Sequence, residues 1–224
     1  MSKPLIIAID GPAASGKTTL GRRLALAFGY LFFDTGVMYR AVTWAALQRG
    51  ISITDEAALT NLAGTAQIDV RPPSQEDGRA CDVLLDGEDV TWELRLPEVE
   101  ASVSPVSIYR GVRQALAAQQ RRIGLRGRVI MVGRDIGTIV LPEADLKIYL
   151  DASPEVRARR RYQEILKRGG QADFEQILDG VRRRDEIDST RTCSPLCAAP
   201  DAVRLDSDGL DADQVFLKAE KLCR

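Results

Sequence analysis

The feature that most constrains this chain is Gly11-Pro12-Ala13-Ala14-Ser15-Gly16-Lys17-Thr18. It matches the pattern G-x-x-x-x-G-K-[ST], and its flanks matter as much as its letters. Leu5 to Ile9 is a short apolar run that reads as a buried parallel strand, ending at Asp10-Gly11-Pro12. Thr18 to Phe28 carries apolar residues at helical spacing, at Leu20, Leu24 and Ala27, and Gly29 stops it. A strand that feeds a glycine-bearing turn into a helix presents backbone N–H groups and the positive helix end to an anion. Lys17 is placed to reach β- and γ-phosphates as a point charge, and the Thr18 hydroxyl to ligate Mg²⁺. Thr19 follows directly and is grouped with the loop as a further ATP contact. The expectation is an α/β fold that holds a nucleotide. The loop alone does not choose between a kinase, a GTPase and a motor.

The rest of the chain keeps the same rhythm, with one interruption. Tyr30 to Phe33 is a short apolar piece before Asp34-Thr35-Gly36; helices are predicted over Val37 to Gln48 and Asp55 to Ala63. Near Ile68 the pattern changes. Asp69-Val70-Arg71, Ala80 to Leu85 and Asp86-Gly87-Glu88-Asp89 read as a small antiparallel meander, an insertion. Glu98 to about Gly124 reads as one helix, Arg128 to Val132 as a second buried strand and Leu146 to Leu150 as a third. Ser153 to Arg168, with Pro154 in its first turn, and Phe174 to about Ser189 are helical. Ala202 to Leu205 is the last strand and Ala212 to Leu222 the last helix. Strands alternating with helices predict a mostly parallel sheet flanked by helices.

Composition removes several functions. The 224 residues allow one large domain or one core with insertions, and 45% apolar with 28% charged residues permits a sizeable core. A net charge of -1 argues against a duplex-DNA binder, so no stable nucleic-acid partner is expected. The absence of histidine excludes Ser-His-Asp and Cys-His hydrolysis and His-ligated metals. Cys81, Cys193, Cys197 and Cys223 have no zinc spacing and read as structural or incidental. No stretch approaches the roughly 18 apolar residues of a spanning helix. Met1-Ser2-Lys3-Pro4 leads straight into the first strand without a signal-peptide core. A cytoplasmic enzyme fits these features.

Arginine placement selects among nucleotide binders. A transferred phosphoryl group spreads charge over its equatorial oxygens, so a small kinase needs several cations around one point. In Asp34-Thr35-Gly36-Val37-Met38-Tyr39-Arg40 a strand ends and a helix begins, with Arg40 one turn in and able to face an acceptor phosphate. Gly133-Arg134-Asp135-Ile136-Gly137-Thr138 follows the strand ending at Val132, the place where open α/β sheets bind ligands. Arg157, Arg160 and Arg161 share one helix face, and Gly169-Gly170 supplies a joint, which reads as a lid that closes cations onto phosphates. Arg184, Asp188 and Arg191 share a face if their helix runs that far. A solvated charged face is the plain alternative for both helices.

These residues resemble the bacterial cytidylate kinase family. The likeness rests on Ile9-Asp10-Gly11-Pro12 with its loop, on Asp34 through Arg40, on Gly133 through Thr138, on Arg184-Asp185-x-x-Asp188-x-x-Arg191, and on Leu85 through Thr91. It covers nearly the whole chain in order. It implies a P-loop NTPase core (1–36, 108–152 and 174–224), an inserted monophosphate-binding region with antiparallel strands (37–107) and a short helical lid (153–173). It also implies ATP and Mg²⁺, CMP or dCMP as acceptor, and a monomer. By motif, Arg40 and Arg134 hold the acceptor phosphate. Thr35, Arg113, Asp135 and Arg191 surround cytosine. Ser104, Arg184 and Asp188 meet the sugar, with Arg184 also near the transferring group. Tyr39 joins the CMP pocket and Arg157 the ATP site. Lys17, Arg134, Arg160, Arg161 and Arg184 are the catalytic cations.

Base chemistry agrees with that resemblance. The cytosine N4 amino group donates to a carboxylate such as Asp135, and its N3 accepts from an arginine; uracil reverses both. Kinases for AMP, UMP or shikimate share the loop and a lid, but not this insert with these arginine sets. A nucleotide switch needs no acceptor pocket at all. No adenine-reading motif is evident; the loop Asp206-Ser207-Asp208 is placed where it could contribute. One departure is Val132, where the family commonly has an acid that helps organise Mg²⁺. Its loss either weakens that organisation or leaves it to Thr18 and phosphate oxygens.

Overall fold

The structure is a computed structural model that describes residues 4–223. Residues 1–3 and 224 lie outside the described residues, and with them all but Pro4 of the segment read for a signal peptide. The phosphate-loop unit comes first, as β1 (Ile6–Asp10) and α1 (Lys17–Phe28), followed by β2 (Leu31–Asp34), α2 (Gly36–Gln48) and α3 (Glu56–Thr65). The insert contains β3 (Ile68–Arg71), β4 (Asp82–Leu85) and β5 (Glu88–Asp89). Then come α4 (Pro97–Val106), α5 (Arg110–Gly124), β6 (Val129–Val132) and β7 (Leu146–Asp151). The chain closes with α6 (Pro154–Lys167), α7 (Phe174–Thr190), β8 (Val203–Asp206) and α8 (Ala212–Leu222).

Five parallel strands run in the order β2-β6-β1-β7-β8. β1 is central because its residues Ile7, Ala8 and Ile9 have no polar side to offer water, and both its edges are paired. Ile9 stands beside Val132 on one side and Ile148 on the other, and Asp34 of β2 stands beside Val132. The carboxyl ends of β2, β6 and β1 therefore finish together, at Asp34, Val132 and Asp10. One apolar cluster packs Leu20 and Leu24 of α1 and Val215 of α8 on one face. A larger one joins α2, α3, α5 and the β3-β4-β5 sheet on the other. That small sheet is antiparallel, as the meander pattern predicts, and the five-stranded sheet is parallel, as the alternation predicts.

One element differs from expectation, and one region had no expectation. The helix read as continuous from Glu98 to Gly124 is two helices, broken at residues 107–109. Pro105 lies inside α4, which ends one residue later; proline offers no N–H and crowds the preceding turn. After β6, residues Ile136–Val140 form a single π-helical turn, to which the sequence reading assigned no element.

Candidate active site

The phosphate loop is shaped by one close approach. Gly11 has φ 146°, and a Cβ there would sit 2.1 Å from the Leu150 carbonyl oxygen, so only glycine fits. α1 then starts after Gly16 with no capping side chain, as do α2, α4 and α5, whereas α3, α6, α7 and α8 are capped by Asp55, Ser153, Asp173 and Asp211. An uncapped start leaves N–H donors for an external anion. Lys17 folds back here: its Nζ donates to the Pro12 carbonyl and, at 3.3 Å, to Ser15 Oγ. Burial and then the neighbouring Arg134 push this ammonium well below its ordinary pKa, against the opposing pull of Asp34 and Asp10. It is a cation in want of an anionic partner.

Thr18 Oγ1 donates to Asp34 Oδ2 at 3.0 Å, and Asp34 Oδ1 accepts from Gly36 N at 3.0 Å. This hydroxyl–carboxylate pair is all oxygen, which suits Mg²⁺; that ion takes one or two carboxylates and fills its shell from phosphate and water. Among the described residues no cluster of three or more His, Cys, Asp or Glu could cage a metal. The Thr18 hydroxyl and the Asp34 carboxylate fit a Mg²⁺ ion that takes its other oxygens from phosphate and water.

Next to the loop, in the same cavity of about 390 Å³, lies a cationic pocket. It is lined by Lys17, Arg40, Arg113, Arg134, Arg184 and Arg191, against Asp34, Glu100 and Asp135. Asp135 accepts from Arg113 Nη2 at 2.8 Å and faces Arg191 Nη2 at 3.9 Å. Asp188, buried beneath, binds Arg134 at 3.0 Å, Arg184 at 3.3 Å and Arg191 at 3.5 Å. Burial alone would raise the Asp188 carboxyl, but Arg134 and Arg184 outweigh it and hold it below the usual carboxylate range. Arg184 Nη1 also donates to Ser104 Oγ, bringing α7 against α4. Thr35 Oγ1 donates to the Val132 carbonyl at 3.1 Å. Tyr39 lies under Arg113, with 5.5 Å between guanidinium carbon and ring centroid. Arg40 pairs with Glu100 and reaches the Leu94 carbonyl. α7 ends at Thr190, so Arg191 caps it rather than continuing it, yet still converges on Asp188.

The three α6 arginines share a face but divide their work. Arg157 is 2% exposed; it grips the Ala13 and Ala152 carbonyls and the Asp185 carboxylate. Arg160 donates to the Ser15 carbonyl at 3.2 Å and to the Ser207 carbonyl at 2.8 Å, linking the phosphate loop to the loop after β8. Arg161 is exposed, pairs with Glu164, and lines a second cavity with Ala14, Lys17, Thr18, Thr19 and Arg160.

The sequence comparisons decide the family. A model described as cytidylate kinase matches residues 7–224. The chain belongs to the cytidylate kinase family. A cytidylate kinase from Roseiflexus castenholzii is 54% identical, with 96% of this chain and 91% of that protein covered. One from Herpetosiphon aurantiacus is 50% identical, with 96% and 93% covered. Among solved structures, an uncharacterized protein from Eubacterium ventriosum superposes with a TM-score of 0.53 at 10% identity, over 98% of both chains, a likeness of fold alone.

Family membership makes Val132 worth locating. It is buried in β6, and its Cγ2 lies 2.7 Å from where a Cβ on Gly21 of α1 would be. The carboxylate nearest Thr18 comes instead from the adjacent strand, at Asp34. Sequence reading placed Asp34 in a motif but gave it no task, because strand order was needed to see it beside Thr18. Glu100, the partner of Arg40, had no sequence signal at all. Cys81, Cys193, Cys197 and Cys223 are free thiols.

Proposed function

We propose that this member of the cytidylate kinase family transfers the γ-phosphoryl group of ATP to CMP or dCMP, giving ADP and CDP or dCDP. The observation that carries the base assignment is a pair of orphaned donors. Arg113 Nε and Arg191 Nη2 are buried and make no hydrogen bond, and both belong to guanidinium groups flanking the Asp135 carboxylate. Unsatisfied buried donors are costly, so they mark where a ligand acceptor belongs. Cytosine supplies acceptors at N3 and O2 for the arginines and an N4 donor for Asp135; uracil would oppose donor to donor.

In this reading Arg40 and Arg134 hold the acceptor phosphate, and Arg184, Asp188 and Ser104 hold the sugar. Thr35 and Tyr39 floor the base pocket. Lys17 leaves the Pro12 carbonyl for the β- and γ-phosphates, which favour its charged form. Lys17, Arg134 and Arg184, with Arg160 and Arg161 from the lid, then surround the transferring group. Arg157 shapes the ATP site from behind, through the Ala13 carbonyl. Mg²⁺, held by Thr18 and Asp34, would neutralise developing phosphate charge. The acceptor phosphate is already ionised and needs little general-base help. The working parts are the core (1–36, 108–152, 174–224), the monophosphate region (37–107) and the lid (153–173). The protein works as a cytoplasmic monomer; among its described residues no helix is long and apolar enough to cross a membrane.

The test is ADP release with ATP and Mg²⁺, offering CMP, dCMP, UMP, AMP and shikimate separately. Fast turnover with CMP or dCMP and little with the rest is expected. Preferred use of UMP or AMP would overturn the base reading, and slow hydrolysis indifferent to every acceptor would overturn the kinase reading.

A further inference from the structure

Asp10 is the last residue of β1 and the one before Gly11, yet it touches neither substrate pocket. Its side chain instead crosses to the acceptor side. Oδ1 accepts from Ile136 N at 2.8 Å and Oδ2 from Gly137 N at 2.7 Å. These two N–H groups open the π-helical turn that directly follows Arg134 and Asp135. A buried carboxylate that spends both oxygens on consecutive backbone donors fixes their positions in two directions. The site for Gly137 is tight for the same reason: a Cβ there would lie 3.3 Å from Asp10 Oδ2 and 3.1 Å from Lys147 Cδ.

We propose that Asp10 is a positioning residue that locks the acceptor-reading loop, residues 133–137, to the phosphate loop, and so sets where Arg134 and Asp135 stand relative to Lys17. The proposal rests on the acceptor reading of Arg134 and Asp135 given above. One residue holds both halves of the reaction: its backbone leads into the donor loop, and its carboxylate holds the acceptor loop.

The lock is sensitive to protonation. Burial raises the Asp10 carboxyl to about 6, against the pull of the two backbone N–H groups. The charged groups around it are Asp135 on the acceptor loop and Lys17 on the phosphate loop, the first raising and the second lowering it. On β7, Tyr149 is its neighbour in register, and Lys147 packs on Gly137 with its ammonium directed to Asp201. Protonation places a hydrogen on one oxygen, which then confronts an N–H instead of accepting from it. The grip on the loop uses both oxygens above that range and loosens to one as pH falls through about 6.

Asp10→Asn tests this, since the amide keeps one acceptor and turns a second donor toward the loop. The expected result at pH 7.5 is a KM for CMP raised about tenfold, as for loss of one charge-assisted bond, with a much smaller change in affinity for a non-hydrolysable ATP analogue. The wild-type advantage in kcat/KM for CMP should shrink between pH 7.5 and 5.5. Titration of the CMP phosphate is common to both proteins and cancels in that ratio. Amide exchange of the segment 133–140 should accelerate in the variant, a readout that needs no substrate and so stands apart from the acceptor reading. Gly137→Ala, which presses on the same contact and keeps the ionisable group, should raise the KM for CMP alone and retain the pH dependence; it decides the matter should Asp10→Asn fail to fold. Equal losses for CMP and the ATP analogue, a ratio that does not change with pH, or unchanged exchange in 133–140 would each overturn the proposal.

Discussion

Asp135 sits between two buried guanidinium groups, and that placement decides what its removal does. Arg113 and Arg191 already oppose each other: burial and then Arg113 lower the pKa of Arg191, and Asp135 and Asp188 offset them. In Asp135→Ala the two cations lose a shared counter-charge inside the pocket, and on the proposed reading cytosine loses the acceptor for its N4 group. Truncating one partner of a buried hydrogen-bonded charge pair at a binding interface costs about 2–5 kcal/mol. CMP affinity should therefore fall at least about thirtyfold. The phosphate loop shares none of these bonds, so calorimetry should show affinity for an ATP analogue within about threefold of wild type. Equal loss of both ligands would make Asp135 a structural residue. Asp135, Arg113 and Lys17 were legible in the sequence because each follows a motif or the family pattern. Asp34 and Asp10 were not assigned tasks, because their partners lie 16 to 127 residues away and depend on which strands adjoin.

At the scale of elements, α6 is tied to the sheet and to α7 by one side chain. Arg157 connects the Ala152 carbonyl at the end of β7, the Ala13 carbonyl of the phosphate loop and Asp185 on α7. A helical wheel groups it with Arg160 and Arg161 as a phosphate cation, but periodicity gives a direction and not a partner. The two roles separate by substitution. Arg157→Lys keeps the charge and loses the planar fork that binds Asp185. If the fork is what matters, Arg157→Lys and Arg157→Ala should both lower the melting temperature. At about 3 kcal/mol for the broken pair, and about 2–4 °C per kcal/mol in a chain of this size, the fall is about 6–12 °C. Restored ATP affinity in Arg157→Lys without restored stability would make it a phosphate ligand instead. Periodicity misjudged α4 and α5 in a related way. Apolar spacing runs through residues 107–109, and only Pro105 announced the break. The strands, by contrast, were plain, since runs such as Val129–Val132 are buried throughout and carry no competing pattern.

Across the whole molecule, charge is unevenly distributed. The chain carries a formal net charge of -1, yet the cavity beside the phosphate loop is lined by six cationic side chains and three carboxylates. The cations of the pocket repel one another, and beside the larger effect of burial Arg134 lowers the Lys17 ammonium further. Anything that brings clustered negative charge should tighten the fold as a whole, because the cations come from α1, α2, α5, α7 and the loop after β6. A ligand present at a hundred times its dissociation constant stabilises the folded state by about 2.7 kcal/mol. For a chain of this length that is about 5–10 °C in melting temperature. The expected order at equal concentration is ATP with CMP above ATP alone, then pyrophosphate, then CMP, measured by thermal melting; at equal multiples of their dissociation constants the single ligands should shift the melting temperature alike. Because the cavity is solvent-connected, the pyrophosphate shift at fixed concentration should shrink as salt rises from 20 to about 500 mM, where screening shortens to a few ångströms. A salt-independent pyrophosphate shift would mean that hydrogen-bond geometry, and not the excess of positive charge, holds the phosphates; no shift at any salt would remove the phosphate loop and its arginines from the binding site altogether.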